Sequence, residues 1–389
     1  MKLLSGLLLG AWIGWIQTAQ ALAPTYDSKT DFTSGFMPPA GNWRYQFASV
    51  DELEGPYADL SYWSFFDGCW QLGPSWPPYL FVFPEYLHPE ASQDVIETFL
   101  PPEQGVYAVM SAIQPGESVR FSLTQGQANG DDALLAVSPE AVTRKWGVLR
   151  LVPVTRHVTA NSGTGQLHFR INALGDNGND GTGGRFFLAR LGTEPVPAGY
   201  STRVEDVFGT GSPVPYGEGL GQLGDRDGAG NPVWFYQAGM PGQATTYELL
   251  ADWEETFYSS DDASSEWGGC VAGQGYVHPG PDEAHSTIVT WCSPYTPMKA
   301  AISCTASVGP DGDGVLVRIY KNDDLLPGCT LDLPANGGGS LRAVCVDMAP
   351  GDRFHVAVSP KGDSANDSTT LSVTVTGRPP PGGTLVIVR

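Results

Sequence analysis

Apolar and polar residues alternate over short stretches through most of the chain. "GVYAVMSAI" (105–113), "SVRFSL" (118–123), "QLHFRIN" (166–172), "VLVRIY" (315–320), "RFHVAV" (353–358) and "TLSVTVTG" (370–377) each carry an apolar side chain at every second position. That period lines one face of an extended segment, and the Val, Ile, Phe and Tyr content suits a half-buried strand. Between the stretches lie breakers, 49 Gly and 32 Pro, which leave little room for long helices. Helix-like periodicity is weak and confined to Ala91 to Phe99 and Tyr247 to Glu255. The pattern predicts an all-β protein.

The pattern is also written twice. "YLHPE" (86–90) returns as "YVHPG" (276–280), an offset of 190, and Trp63 returns as Trp253 at the same offset. The W-x-Y-Q of Trp43 to Gln46 returns at Trp234 to Gln237, Phe99 faces Trp291, and Pro102 faces Pro294. "GDDALLAV" (130–137) answers "GDGVLVRI" (312–319), and "NDGT" (179–182) answers "NDST" (366–369). Matches that keep their order while their offsets drift by a few residues are those of an internal duplication with loop insertions. Two tandem jelly-roll or β-sandwich domains are expected, at 24–192 and 200–377. A Pro-rich joint at 193–199 connects them and a Pro/Gly-rich tail follows at 378–389. Each half has about 170 residues, enough for a core of its own.

Residues 1–21 hold a lone Lys2, an apolar run and then small residues, the form of a secretory signal peptide cleaved after Ala21 or Ala23. The run is too short to span a bilayer. A secreted or cell-surface protein without membrane insertion is expected.

The order D-F, W-x-Y, Trp, H-P, an aromatic before a proline, G-D-G, P-G-D and N-D-x-T resembles jelly-roll β-sandwich modules of secreted bacterial proteins, similar to carbohydrate-binding modules. His278-Pro279, Trp291, Gly312-Asp313-Gly314, Pro350-Gly351-Asp352 and Asp367 carry the likeness in the second half. The first half departs from it, with Phe99 for the Trp, Ala133 for a Gly and Gly163-Thr164-Gly165 near the Gly-Asp step. The resemblance implies a β-sandwich and, by analogy, sugar binding.

Charge narrows the partners. Asp and Glu number 42 against 21 Lys and Arg, a net charge of −21, which argues against nucleic acid and anionic membranes. Asp-rich turns offer candidate calcium ligands, since calcium takes several oxygens: Asp225, Asp227 and Asn231 in "DRDGAGN", Asp176 and Asp180 in "GDNGNDGT", and Asp313 and Asp367. Solvated turns rich in Asp and Gly are the alternative.

Six cysteines in an exported chain suggest three disulfides. Cys329 and Cys345 flank "ANGGGS" symmetrically, which predicts that they face each other across a hairpin; Cys292 with Cys304 is a second pairing, and Cys69 with Cys270 is what remains.

Two of the 11 tryptophans, Trp12 and Trp15, lie in the leader. Trp43/Trp234 and Trp63/Trp253 recur in register and suggest core positions. The run "WSFFDGCWQLGPSWPPYLFVFPEY" packs Trp70, Trp76, Tyr79, Phe81 and Tyr86 into a Pro- and Gly-broken segment that cannot bury every ring. Flat rings beside carboxylates suit sugars, whose C–H faces are apolar and whose rims need hydrogen bonds. Trp70, Trp76, Tyr79 and Tyr86, with Trp267 and Tyr276 in the second half, are the candidate ligand-binding residues; covering a sheet face or an interdomain contact is the alternative. His88 and His278 are read as histidines that hold a turn.

No G-x-S-x-G or H-E-x-x-H motif occurs, so nothing points to a catalytic residue. The leading reading is a secreted, non-catalytic protein that binds a polysaccharide or glycoconjugate, with calcium as a structural ion. A structural or adhesive surface protein that self-associates is the alternative, and a polysaccharide hydrolase or lyase the third.

Overall fold

The computed structural model describes residues 25–32, 41–50, 57–64, 67–74, 80–84, 86–103, 105–114, 119–126, 132–137, 149–158, 165–174, 181–192, 194–210, 214–216, 219–221, 224–244, 247–250, 252–253, 257–259, 269–282, 285–362, 364 and 366–380. The signal peptide expected at 1–21 lies outside them. Among the described residues strands dominate, the one α-helical element is the single turn Val204–Val207, and no helix is long and apolar enough to cross a membrane.

Each half builds two antiparallel sheets. The wide sheet of the first half runs Leu149–Val158, Gly105–Gln114, Thr182–Leu191, Tyr86–His88, Phe81–Phe83, Cys69–Gln71, Tyr62–Ser64. Its counterpart runs, strand for strand, Gly338–Met348, Met298–Val308, Thr369–Arg378, Tyr276–His278, Val271–Gly273, Phe257–Ser259, Asp252–Trp253. Thr25–Asp27 is added to Thr182–Leu191, and Ser201–Arg203 to Thr369–Arg378. The narrower sheets correspond too. Asp132–Val137, Arg120–Gly126, Leu167–Asn172, Gln93–Phe99 and Trp43–Ser49 match Asp324–Leu333, Val315–Lys321, Arg353–Pro360, Ser286–Cys292 and Pro232–Gly239. The repeat in the sequence is therefore a repeat of topology.

Alternation makes each half a sandwich. Met298–Val308 buries every second side chain, as a strand with one face on a core and one on solvent must. In the first half Trp70, Val82, Tyr107 and Phe186 from the wide sheet meet Trp43, Tyr45, Phe121 and Phe169 from the narrow one, and Phe169 stacks on Phe186 at 4.0 Å between centroids. In the second, Tyr258 of the wide sheet stacks on Tyr236 of the narrow one at 5.4 Å. Trp43 and Trp234 are core residues in both; the Trp253 side chain lies outside the described residues.

The joint between the halves is packed. Ala108, Ala189 and Leu191 of the first wide sheet meet Phe235, Leu249 and Cys292 of the second narrow sheet. The Gly192 N–H donates to Pro294 O at 2.7 Å and the Thr296 N–H to Glu194 O at 3.0 Å. Gly192 has φ 74°, and a Cβ there would lie 2.6 Å from Pro350 Cγ, so both backbone and space call for glycine.

Three expectations need correction. Ala91 to Phe99 is not helical: Gln93–Phe99 is a strand buried on both faces, so it lacks the alternation that would reveal it. Tyr247 to Glu255 likewise contains the short strands Glu248–Leu249 and Asp252–Trp253. The disulfide scheme finds no support, since no disulfide joins any of the six cysteines. The turn after Leu333 does not close a hairpin but carries the chain from one sheet to the other: Asp324–Leu333 pairs with Val315–Lys321, and Gly338–Met348 with Met298–Val308. Cys329 consequently points into the core while Cys345 is exposed. Cys292 packs in the cluster at the joint while Cys304 packs in the core of the second sandwich. Cys69 and Cys270, expected to link the two domains, are each buried in their own sandwich and are not joined.

Candidate functional site

Two three-residue strands of the first half, Phe81–Phe83 and Tyr86–His88, turn an aromatic surface outward. Val82 and Leu87 are fully buried in the core, so strand alternation directs Phe81, Phe83, Tyr86 and His88 to the opposite face. Register sets Phe81 opposite His88 and Phe83 opposite Tyr86. The Phe81 ring lies 4.9 Å from the His88 ring and 6.0 Å from Tyr86, both nearly parallel, and 5.3 Å edge-on from Phe83. Pairing continues through Gln71 to Tyr62, so a row Tyr62–Gln71–Phe81–His88 crosses four strands, about 14 Å at sheet spacing. Tyr62 and Tyr86 are each 38% exposed. The Tyr86 ring occupies the space where a side chain at position 181 would be, which only Gly181 leaves open.

The second half keeps the strands and loses the surface. There Val271 faces His278 and Gly273 faces Tyr276, in the places of Phe81, His88, Phe83 and Tyr86. What both halves retain is the histidine turn: Nδ1 of His88 is 2.8 Å from Pro89 O, and Nδ1 of His278 is 2.7 Å from Pro279 O. A carbonyl only accepts, so each Nδ1 carries its proton and the ring pins the turn. The Tyr-x-His-Pro echo is structural in this respect.

The candidate ligand residues scatter. Trp70 is 1% exposed, packed on Trp63 and Tyr45 in the first core, and cannot stack on a ligand; this corrects its assignment. Its pairing with Val82, an inward residue, is the cause. Trp76, Tyr79 and Trp267 lie outside the described residues. Tyr86 belongs to the outward surface, and Tyr276 is half-buried over Gly273. Phe83 and Tyr62 were missed and His88 was read as holding a turn rather than touching a ligand, although the alternation of "YLFVF" could have singled out Phe81 and Phe83 together.

The candidate calcium ligands Asp225 and Asp227 are occupied by hydrogen bonds. Asp227 Oδ1 accepts from the Ala229 and Asn231 N–H groups at 2.9 and 3.0 Å, and its Oδ2 accepts from the Tyr295 hydroxyl at 2.7 Å. Asp225 Oδ2 accepts from Tyr236 at 2.5 Å and Gly209 N–H at 3.0 Å. Those donors surround the carboxylates as a cation would, so this turn does not fit one. Asp367 is buried and accepts from the Gly314 N–H at 3.2 Å, while Asp313 faces Gly362. Asp176 and Asp180 lie outside the described residues. Among the described residues no group of three His, Cys, Asp or Glu side chains gathers around a metal-sized space.

A constellation that resembles a nucleophile and base occurs twice and is sealed both times. The Thr98 hydroxyl donates to Gln46 Oε1 at 2.6 Å and meets His168 Nδ1 at 2.9 Å; Thr290 does the same with Gln237 at 2.6 Å and His355 at 2.8 Å. Tyr57 and Tyr247 cover the imidazoles edge-on, each at 4.9 Å. Both threonines are fully buried, so no substrate reaches them. The networks are architectural.

No family model matches the chain, and no curated protein matches it. Solved structures do. A xylan-binding module CBM15 matches at 13% identity over 38% of this chain and 93% of its own, with a TM-score of 0.23. The CBM22-1–CBM22-2 tandem domain of Paenibacillus barcinonensis Xyn10C matches at 11% identity over 74% and 87%, with a TM-score of 0.21. A triple jelly-roll turret protein of an archaeal virus matches at 9% identity over 87% and 60%, with a TM-score of 0.20. Likeness at these values carries no argument, and the reading of fold and function rests on this chain's own strands and residues.

Proposed function

We propose that the protein is an exported, non-catalytic glycan-binding protein whose contact surface is the outward hairpin of Phe81, Phe83, Tyr86 and His88. The observation that supports it is the difference between the halves: in one register the first half places four rings where the second has Val271, Gly273, Tyr276 and His278. A fold needs the strands but not the outward rings. Aromatic faces turned outward lose hydration readily and match the apolar C–H face of a sugar, while Tyr62 and Tyr86 supply hydroxyls for its rim. The sealed threonine–histidine networks favour binding over catalysis. Calcium is not placed at Asp225 and Asp227 in this reading, because the donor set of that turn does not fit it.

Affinity electrophoresis and pull-down on a panel of insoluble polysaccharides test it. Retention on one polymer, lost in Phe81→Ala/Tyr86→Ala with the fold intact, is the expected result. Absence of retention on every polymer, with elution as a defined oligomer, would move the reading to a self-assembling surface protein.

A further inference from the structure

The outer face of the second wide sheet gathers positive charge in a chain of net charge −21. Ile302, Cys304, Val373 and Val375 point into the core, so Lys299, Ala301, Ser303, Thr374, Thr376 and Arg378 point out. Register then sets Arg203, Thr374, Ser303 and Arg342 side by side across four strands, and Arg378 beside Lys299 two outward rows away. Ala301 and Thr376 form a low floor between the rows. At its rim the register slips, and Val344 and Cys345 together oppose Ala301. Such a bulge bends its strand; Cys345 takes φ 58° and Val344 is 55% exposed. The result is an open cleft of about 230 Å³ between Lys299, Arg342 and Arg378, continuous with a second of about 210 Å³ along Ser303 and Thr374.

Among the described residues the four cations of these rows meet one carboxylate, Asp347, which pairs with Lys299. Arg203 Nε donates to Thr374 Oγ1 at 3.4 Å and Arg378 Nη2 to Cys345 Sγ at 3.7 Å, neither of them an anion. Arg342 is exposed and forms no ion pair among the described residues. Guanidinium groups held this way present forked donors that match a carboxylate or sulfate.

We propose that this cleft binds the anionic groups of an acidic polysaccharide. Spacing separates that ligand from nucleic acid. Arg203 and Arg342 stand about 14 Å apart across the sheet, and the two rows about 13 Å apart along it. Nucleic acid carries a charge every few ångströms and would be repelled by the rest of this acidic chain, whereas a sugar polymer with occasional charges matches the separation. The inference rests on the glycan-binding reading and names the class of glycan.

Polygalacturonate esterified until its free carboxylates lie about 13 Å apart, called polygalacturonate below, and its fully methyl-esterified form share a backbone and differ in charge, so they make the test. The mature chain is expected to bind polygalacturonate more tightly. Arg342→Ala/Arg378→Ala should weaken that binding about tenfold and leave the ester unaffected, and about 0.5 M salt should do the same. Equal binding of polygalacturonate by wild type and this variant, with ester binding intact, would overturn the cleft and leave the aromatic surface standing. Binding of polygalacturonate that needs the arginines but survives Phe81→Ala/Tyr86→Ala would support the cleft and remove the aromatic surface. Binding of neither form, nor of any neutral polymer, would overturn both. A wild-type dimer dissociated by the arginine substitutions would overturn the cleft in favour of self-association.

Discussion

His168 and His355 occupy the same place in their respective sheets, each ring held at Nδ1 by a threonine hydroxyl that itself donates to a glutamine. Because the hydroxyl gives its hydrogen to the glutamine carbonyl, it must accept from the imidazole, whose Nδ1 therefore carries a proton. Burial, assisted by Arg353, holds His355 well below the usual histidine range. The unfolded chain takes up a proton below about pH 6.5 and the folded one does not, so this site's contribution is complete above that pH and is lost as pH falls. Stability is expected to drop by about 1.4 kcal/mol per pH unit from this residue. Asp94, raised by burial to about 6, and Glu97, also raised by burial, act in the opposite sense. The measurement is therefore the difference in urea unfolding between wild type and His355→Gln from pH 7 to pH 5; parallel curves would refute it.

Asp94 and Arg170 form an ion pair closed to solvent, with Asn172 donating to the same carboxylate at 2.7 Å. The corresponding second-half positions are Ser286, Ala357 and Ser359, where two hydroxyls meet at 2.5 Å. Removing one ion leaves the other buried and unpaired, and Arg170→Ala is expected to cost about 3–5 kcal/mol. Asp94→Ser/Arg170→Ala/Asn172→Ser, which copies the second half, should recover most of it in denaturant titration.

Chelation should leave the melting temperature unchanged, because Asp225 and Asp227 are satisfied by N–H and O–H donors. Asp227→Ala, by contrast, strands Tyr295 and two backbone amides and should destabilise by about 1–3 kcal/mol. A melting curve shifted by chelator would reinstate calcium at another site.

Thiol counting separates the folded from the unfolded protein. Cys345 alone is exposed, and burial lifts Cys292 and Cys304 to about 12. With reductant removed quickly, a thiol reagent should label one cysteine in the native state and six after denaturation.

Much of this architecture was legible, and the failures have physical causes. The W-x-Y-Q repeat announced the duplication because Gln46 and Gln237 are members of the repeated buried network, where no other residue makes the same bonds. Strands with one wet face declared themselves by alternation; Gln93–Phe99, dry on both, did not. Trp70 and Phe81 lie in one aromatic run, yet pairing sends one inward and the other outward, and register depends on partners distant in sequence. The symmetry of Cys329 and Cys345 about a turn was real, but a turn may close a hairpin or cross between sheets, and composition does not distinguish the two. The basic cleft escaped notice for a similar reason: Arg203, Lys299, Arg342 and Arg378 come from four separate strands.

The packed joint around Gly192, Phe235 and Pro350 has a consequence for recognition. Its contacts tie the two halves together, so the proposed aromatic surface and basic cleft would act on one polymer as a caliper. A polymer long enough to reach both gains the second contact at little further entropic cost, and a shorter one gains nothing from it. Affinity should thus rise with chain length in a step, at the length set by the joint.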